Sequence, residues 1–366
     1  MTGAHTPPVL DWYRTPIPSD VFKRLHQRSD AKAFAQAGGF LAVYAATATL
    51  AFLSWRLHQP WFVTVPLVFL HGMVASFLVN GMHELGHGTV FRTKALNEFF
   101  LRLVSFLGWN HPDLFSASHQ RHHRYTLHPP DDQEVVLPVK LMLRHFLEQG
   151  FINPRGFKWV FLYTLRIACG RFEGGWELWC YPPEQPQLRR APIRWARVVL
   201  AGHVLLAAVS LSFGLWMIPV LLSLTPAYGA WLFFLCNNTQ HVGLQDKVPD
   251  FRRCCRTVIL NPVVSFLYWE MNYHMEHHMY AAVPCYHLKQ LHAAIRADVP
   301  PRTPASSPSG GTSSQSCAVR SRNPPTSTSR PCPSPGRVEP GAAATGGCGD
   351  RAAAARPRTP PRKSPG

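Results

Sequence analysis

Two apolar runs near the start of the chain decide what class of fold it can adopt. Residues 33–55 (A-F-A-Q-A-G-G-F-L-A-V-Y-A-A-T-A-T-L-A-F-L-S-W) carry no charge, and neither do residues 61–81, which follow after the short R-L-H-Q-P link. A helix of about 20 such residues crosses the hydrocarbon core of a bilayer. The pair therefore reads as a hairpin that leaves and re-enters the same side. A second pair, 195–218 and 219–236, repeats the pattern around a turn near Pro219 and Pro226 that has no charge. The expected fold is all-α and integral to a membrane: four spans in two hairpins, with a helical cap on one side.

Charge placement gives the orientation. Arg14, Lys23, Arg24, Arg28 and Lys32 precede the first run, and the remaining Lys and Arg concentrate in 88–194 and 247–300. The positive-inside rule makes that side cytoplasmic. The same asymmetry argues against buried helices of a soluble protein. Apolar stretches at 99–109 and 157–169 are too short or too basic to span, and are expected as interfacial helices.

The net charge of +17 and a mean hydropathy of −0.07 look at odds with a membrane protein until the chain is divided. Residues 301–366 lack Leu, Ile, Met, Phe, Trp, Tyr and His, yet hold thirteen of the 34 prolines and a net +8. Such a segment cannot bury a core. The chain thus divides into a cytoplasmic segment 1–32, a membrane domain 33–300 and a low-complexity tail 301–366. The pattern stops so abruptly that a frameshift near Pro304 is expected. The basic balance fits loops facing anionic lipid better than nucleic acid. Nine cysteines without regular spacing, Cys254 and Cys255 adjacent among them, give neither a disulfide framework nor a cluster motif. No secretory signal precedes the first run. The Ala, Arg, Pro and Gly bias suggests a GC-rich genome and a bacterial inner membrane.

Histidines carry the chemistry. H-E-L-G-H (83–87), H-Q-R-H-H (119–123) and H-M-E-H-H (274–278) all fall on the basic side, each beside apolar helix. Taken alone, the first matches the helical zinc site H-E-x-x-H, with Glu84 as general base. Residues three and four apart share a helix face. This places His83 with His87, His119 with His122 and His123, and His274 with His277 and His278. Eight imidazoles exceed the four ligands of one tetrahedral zinc, and spacing alone does not choose among iron, copper, nickel and zinc. His58, His71, His145 and His203 are isolated and are read as satisfied core residues or incidental surface ones.

The three boxes, with their flanks N-G-M-H-E-L-G-H and N-Y-H-M-E-H-H, resemble those of the membrane-bound fatty acid desaturase family, which also includes hydroxylases and ketolases. The likeness runs from about residue 35 to 295. It implies two non-haem irons held by His83, His87, His119, His122, His123, His274, His277 and His278 on the cytoplasmic cap. It also implies a further His and a water-mediated Asn after the fourth span. N-N-T-Q-H places Asn237 and His241 at i,i+4 there. Ligating imidazoles donate their second N–H to carboxylates or carbonyls. By proximity in sequence the candidates are Glu84, Asp131, Asp132, Glu134, Glu270 and Glu276, and Arg121 and Arg124 could hold carboxylates or face lipid phosphates.

The resemblance implies an O₂-dependent oxidation of an unactivated C–H bond in a lipid or acyl chain, ending in a double bond or an alcohol. Two electrons per turnover must come from outside. The chain has no H-P-G-G haem module and no cluster-binding Cys pattern, so a ferredoxin or cytochrome partner is expected. Two other classes remain open at this point, an intramembrane zinc protease and a membrane metal carrier.

Overall fold

The computed structural model describes residues 7–137 and 141–299. The boundary at 300, the tail 301–366 and the frameshift expected near Pro304 lie outside the described residues. Within them the chain is helical, with no strand beyond three isolated bridges. Three helices are long and apolar enough to cross a membrane: Asp30–Arg56, Trp61–Gly86 and Pro186–Ser212.

A short helix, α1 (Ser19–Leu25), leads into α2 (Asp30–Arg56), which passes through a π-helical turn at Phe34–Gly38. The turn at Leu57–Pro60 reverses the chain into α3 (Trp61–Gly86). Only about a third of the most apolar stretch of each helix is buried, and Leu50, Leu53, Phe62, Val65 and Leu70 lie bare on the outside. A soluble core helix would hide these side chains; lipid leaves them exposed at no cost. Polar links across this hairpin include the Ser54 and Thr64 hydroxyls, 2.8 Å apart, and the buried Thr47 hydroxyl, 3.0 Å from His71 Nδ1. The other ring nitrogen of His71 meets the Leu221 carbonyl at 2.8 Å. His71 is a structural histidine.

The end of α3 changes character. After a break at Ser76–Phe77 every residue from Leu78 to Leu85 except Val79 is buried. Helix α4 (Lys94–Leu107) packs back along this end, with Asn97 Nδ2 donating to the Leu85 carbonyl. Pro112 and Asp113 open α5 (Pro112–Tyr125), as the N-terminal preferences for proline and acid favour. Two further helices, α6 (Leu143–Gly150) and α7 (Pro154–Ala168), precede α8 (Gly174–Cys180) and the long α9 (Pro186–Ser212).

Helix α7 packs along α9, with Arg197 Nε bonded to the Ala168 carbonyl and Phe157 reaching Trp109, which stacks on His203. His203 itself bonds Ser223 and the Phe106 carbonyl and is likewise structural.

The return path 219–236, expected as a fourth span, is not one helix. It consists of α10 (Met217–Leu222), a 3₁₀ turn at Thr225–Ala227 and α11 (Trp231–Asn237). Pro226 and Gly229, at φ +80°, interrupt the ladder. Backbone groups freed where a helix breaks must find other partners. The 151–153 segment supplies them: Gly229 N–H donates to the Phe151 carbonyl and Asn153 N–H to the Ala227 carbonyl. Tyr228 then seats directly on Gly72 of α3, where an added Cβ would lie 2.4 Å from its ring. Helices α12 (Phe251–Cys254), α13 (Pro262–Leu267), α14 (His274–Met279) and α15 (Leu288–Ile295) complete the end of the bundle that holds the His boxes.

Candidate metal centre

The three boxes converge, and they sort into two groups. His83, His87, His119, His123 and His277 form one; His122, His241, His274 and His278 form the other. In each group one ring nitrogen per residue lies within 4.8 Å of all the others. Boxes two and three are each shared between groups. The i,i+4 pairs His119/His123 and His274/His278 stay together, while His122 and His277 go to the opposite group. A residue three places on and one four places on differ by about 100° around the helix, so the expectation of a single shared face was too coarse.

The ring nitrogens show which atoms are free to bind. His119 Nδ1 meets Glu134 Oε1 at 2.7 Å, His122 Nδ1 meets Asp132 Oδ2 at 2.9 Å and His83 Nδ1 meets Glu84 Oε1 at 3.0 Å. His241 Nδ1 donates to the Cys254 carbonyl at 2.8 Å. The Thr126 hydroxyl gives its proton to the His122 carbonyl, so His278 Nδ1 donates to Thr126 at 3.1 Å. In all five rings Nδ1 carries the proton and Nε2 presents a lone pair. His83 Nε2, His87 Nε2 and His278 Nε2 are buried without any partner.

Elsewhere pairs of Nε2 atoms face each other: His119 and His123 at 2.9 Å, His123 and His277 at 3.1 Å, His241 and His274 at 2.9 Å. Nitrogens bound to one ion at about 2.0–2.1 Å sit at such separations. Nine nitrogen donors and no thiolate suit a borderline metal such as iron.

Burial favours the ligating form. It pushes His119, His123, His274, His277 and His278 well below the ordinary imidazole value, His87 to about 4 and His241 to about 3. His122 is the exception: burial, the largest single influence, opposes its charge, but the Asp132 bond and the negative charges of Glu134 and Asp132 together raise it. Asp132 is correspondingly lowered against its own burial.

The carboxylates named by proximity divide. Glu84 lies beside two rings of the five-His group, with its Oε1 also 3.4 Å from His277 Nδ1. Asp132 additionally accepts the Leu127 and Glu134 N–H groups. Glu134 is held by the Ser118 hydroxyl, and Ser118 in turn by Trp176 Nε1. Glu270 takes the Ser265 hydroxyl at 2.6 Å instead of a candidate ligand. Glu276 holds His292 and Thr257, bracing α14. Asp131 faces Arg121, 3.7 Å away, and Arg121 stacks over Trp179. Thr126, Ser118, Trp176 and the Cys254 carbonyl escaped sequence reasoning. A carbonyl has no sequence signature, although Thr126 is i+4 from His122.

A cavity of about 240 Å³ touches both groups. His83 and His119 line it from one, and His122, His241 and His274 from the other, with Phe115, Phe233, Met271, Asn80, Asn237 and Gln240 between them. Asn237 was expected one helical turn from His241. Helix α11 ends at Asn237 itself, because Asn238 Nδ2 and the Thr239 hydroxyl occupy the last carbonyls. Asn237 still borders the cavity.

Comparison with known sequences agrees with this geometry: the sequence profile described as "Fatty acid desaturase" matches residues 59–308. The chain belongs to the fatty acid desaturase family. A protein of Picosynechococcus sp. named sn-1 oleoyl-lipid 12-desaturase is 25% identical over 263 residues, covering 65% of this chain and 70% of that one. Family membership and the exposed apolar helices together make this an integral membrane oxidoreductase of the lipid desaturase type.

Proposed function

We propose that the protein is a membrane di-iron enzyme that uses O₂ and two electrons from a separate ferredoxin or cytochrome-type donor to place a double bond in a fatty acyl chain carried on a lipid. The observation that carries this reading is the cavity bordered by ligand candidates from both His groups. Irons held by His83, His87, His119, His123 and His277, and by His122, His241, His274 and His278, would supply the power to remove hydrogen from an unactivated C–H bond. The protein's own share is placement. Glu84, Glu134, Asp132, Thr126 and the Cys254 carbonyl fix ring tautomers and orientations. Phe115, Phe233 and Met271 offer apolar walls to an acyl chain and keep water out. Asn237, which borders the cavity, would hold a water beside the four-His group.

The relative named for an oleoyl lipid supports an acyl-lipid substrate over a soluble acyl carrier. We further place four crossings in the membrane, the fourth made by the broken 217–237 segment, with the His groups and N-terminus in the cytoplasm of a bacterium. Charge asymmetry supports that orientation.

The test is expression in a host of known lipid composition, wild type beside His122→Ala, with product and metal analysis. New unsaturated acyl chains from the wild type alone, with about two irons per chain, are expected. A hydroxylated product reassigns the reaction within the superfamily. Identical products from both proteins, or a single zinc, would sink the reading.

A further inference from the structure

We propose that a cleft between α1 and α15, at the end of the bundle that carries the His groups, binds the phosphate of a membrane lipid headgroup. Its volume is about 770 Å³, the size of a small-molecule site, and it is separate from the metal centre. Arg24, Arg28 and Lys32 line it together with His287, Gln290 and Ala293. Among the described residues none of the three cations has a carboxylate partner. Asp30 is committed to the Arg92 and Thr93 amides and the Thr93 hydroxyl, and Asp20, a turn before Arg24, forms no ion pair with it.

Basic residues flanking a span often just reach for the interface. Here one of them is held. His287 is buried, and its Nδ1 lies 2.8 Å from the Leu25 carbonyl, which can only accept. Its Nε2 is therefore an acceptor, and Lys32 Nζ donates to it at 2.8 Å. Burial, with Lys32 alongside, keeps this imidazole below its ordinary value and hence neutral. A carboxylate in the same place would fix Lys32 and cancel its charge. A neutral imidazole fixes it and leaves the charge, with two N–H groups still to offer.

The position selects the ligand. Asp30 begins a helix long and apolar enough to span, so the cleft opens where headgroups lie. Basic pockets at such levels bind anionic headgroups, and charged N–H groups around a phosphate make short, strong bonds. This inference rests on membrane insertion and not on the redox chemistry, so either can fail without the other.

Full-length protein, purified in detergent and stripped of lipid, is titrated with dioleoyl phosphatidylglycerol, dioleoylglycerol, inorganic phosphate and coenzyme A, and adducts are counted by native mass spectrometry. Phosphatidylglycerol should fill one saturable site, dioleoylglycerol should not, and inorganic phosphate should compete only at high concentration. Arg24→Gln with Arg28→Gln should weaken phosphatidylglycerol about thirtyfold, from roughly fivefold per basic side chain at an anionic surface. Ala293→Trp fills the cleft from its exposed wall without removing charge, and should also abolish the site. Equal lipid binding by Ala293→Trp and wild type overturns the proposal, as does equal binding of dioleoylglycerol. Coenzyme A binding more tightly than the lipid, and lost in both variants, assigns the cleft to a soluble phosphate carrier instead. An acidic ferredoxin that loses binding in the double variant while the lipid does not assigns it to a protein partner.

Discussion

The two His groups are built from the same boxes, yet they are not equivalent. The five-His group draws on α3 with His87 capping its end, on α5 and on α14, with i,i+4 pairs from the first two. The four-His group has one i,i+4 pair on α14, a single residue from α5, and His241 from a loop beyond α11. The first is fixed by helix geometry and by Glu84 between two of its rings. The second depends on a loop histidine tied to a backbone carbonyl and has Asn237 and Gln240 beside it along the cavity. It has fewer protein donors and the less regular support. That makes it the group with room for an exchangeable ligand.

The largest effects should come from removing a donor. In the four-His group, His241→Ala leaves three imidazoles and should take bound iron from about two per chain to about one, with activity gone. His87→Ala leaves four in the other group and should retain more metal while still losing activity. Metal analysis of the two purified variants measures this. Equal metal loss would erase the distinction between the groups.

Next come the carboxylates. Asp132 anchors His122 and takes two backbone N–H groups, so Asp132→Asn perturbs both a candidate ligand and the 127–134 loop. Its metal affinity should fall about 10–100-fold, as for other partners of ligating histidines, with a lower unfolding midpoint. Glu134→Gln touches one ring, His119, and should fall at the low end of that range with little change in stability. Chelator competition and thermal unfolding separate the two. If Glu134→Gln proved the more severe, the five-His group would be the fragile one.

The comparison also shows why the sequence revealed some of this and hid the rest. The boxes were legible because helical spacing puts imidazoles together. Their division between two groups needed the 100° step that separates His122 from the His119/His123 pair. His241 came from a family resemblance, since it stands outside any regular element. Glu84, Asp132 and Glu134 were found by proximity, but the same rule named Glu270 and Glu276, whose side chains turn to Ser265 and to His292. In the membrane part, α2 and α3 were readable from uninterrupted apolar length. The return after α9 was not, because Pro226 and Gly229 break it and residues 151–153, far away in sequence, take its backbone groups.

Smaller effects should separate the groups by their cover. Trp12 stacks on Phe251 at 4.2 Å between centroids, and Phe251 packs against His278 of the four-His group. Trp12 Nε1 also donates to the Arg124 carbonyl. Trp12→Ala removes an aromatic pair worth about 0.5–1.5 kcal/mol. Metal exchange at the four-His group should quicken several-fold, with the other group unchanged. Isotopic iron exchange followed over time reads both phases.

The weakest effect concerns what pins the strap formed by residues 12–15. Tyr13 and Thr15 both donate to Asp298 Oδ2, at 2.6 and 2.7 Å, and Arg252 pairs with Oδ1. These bonds, Tyr13 first, hold the Asp298 carboxyl below its ordinary value. A lowered carboxylate stabilises the folded strap at every pH above the unfolded value of about 3.9, and that contribution fades as pH falls through the lower folded value. Amide hydrogen exchange at residues 12–15, corrected for its intrinsic pH dependence, should therefore be flat from about pH 8 to 5 and rise only below about 4. Asp298→Asn should raise it slightly at all of these values. A rise centred between pH 6 and 7 would instead assign control of the strap to a histidine. His128, whose ring meets Trp12 edge-on at 5.5 Å, would then be the residue to substitute.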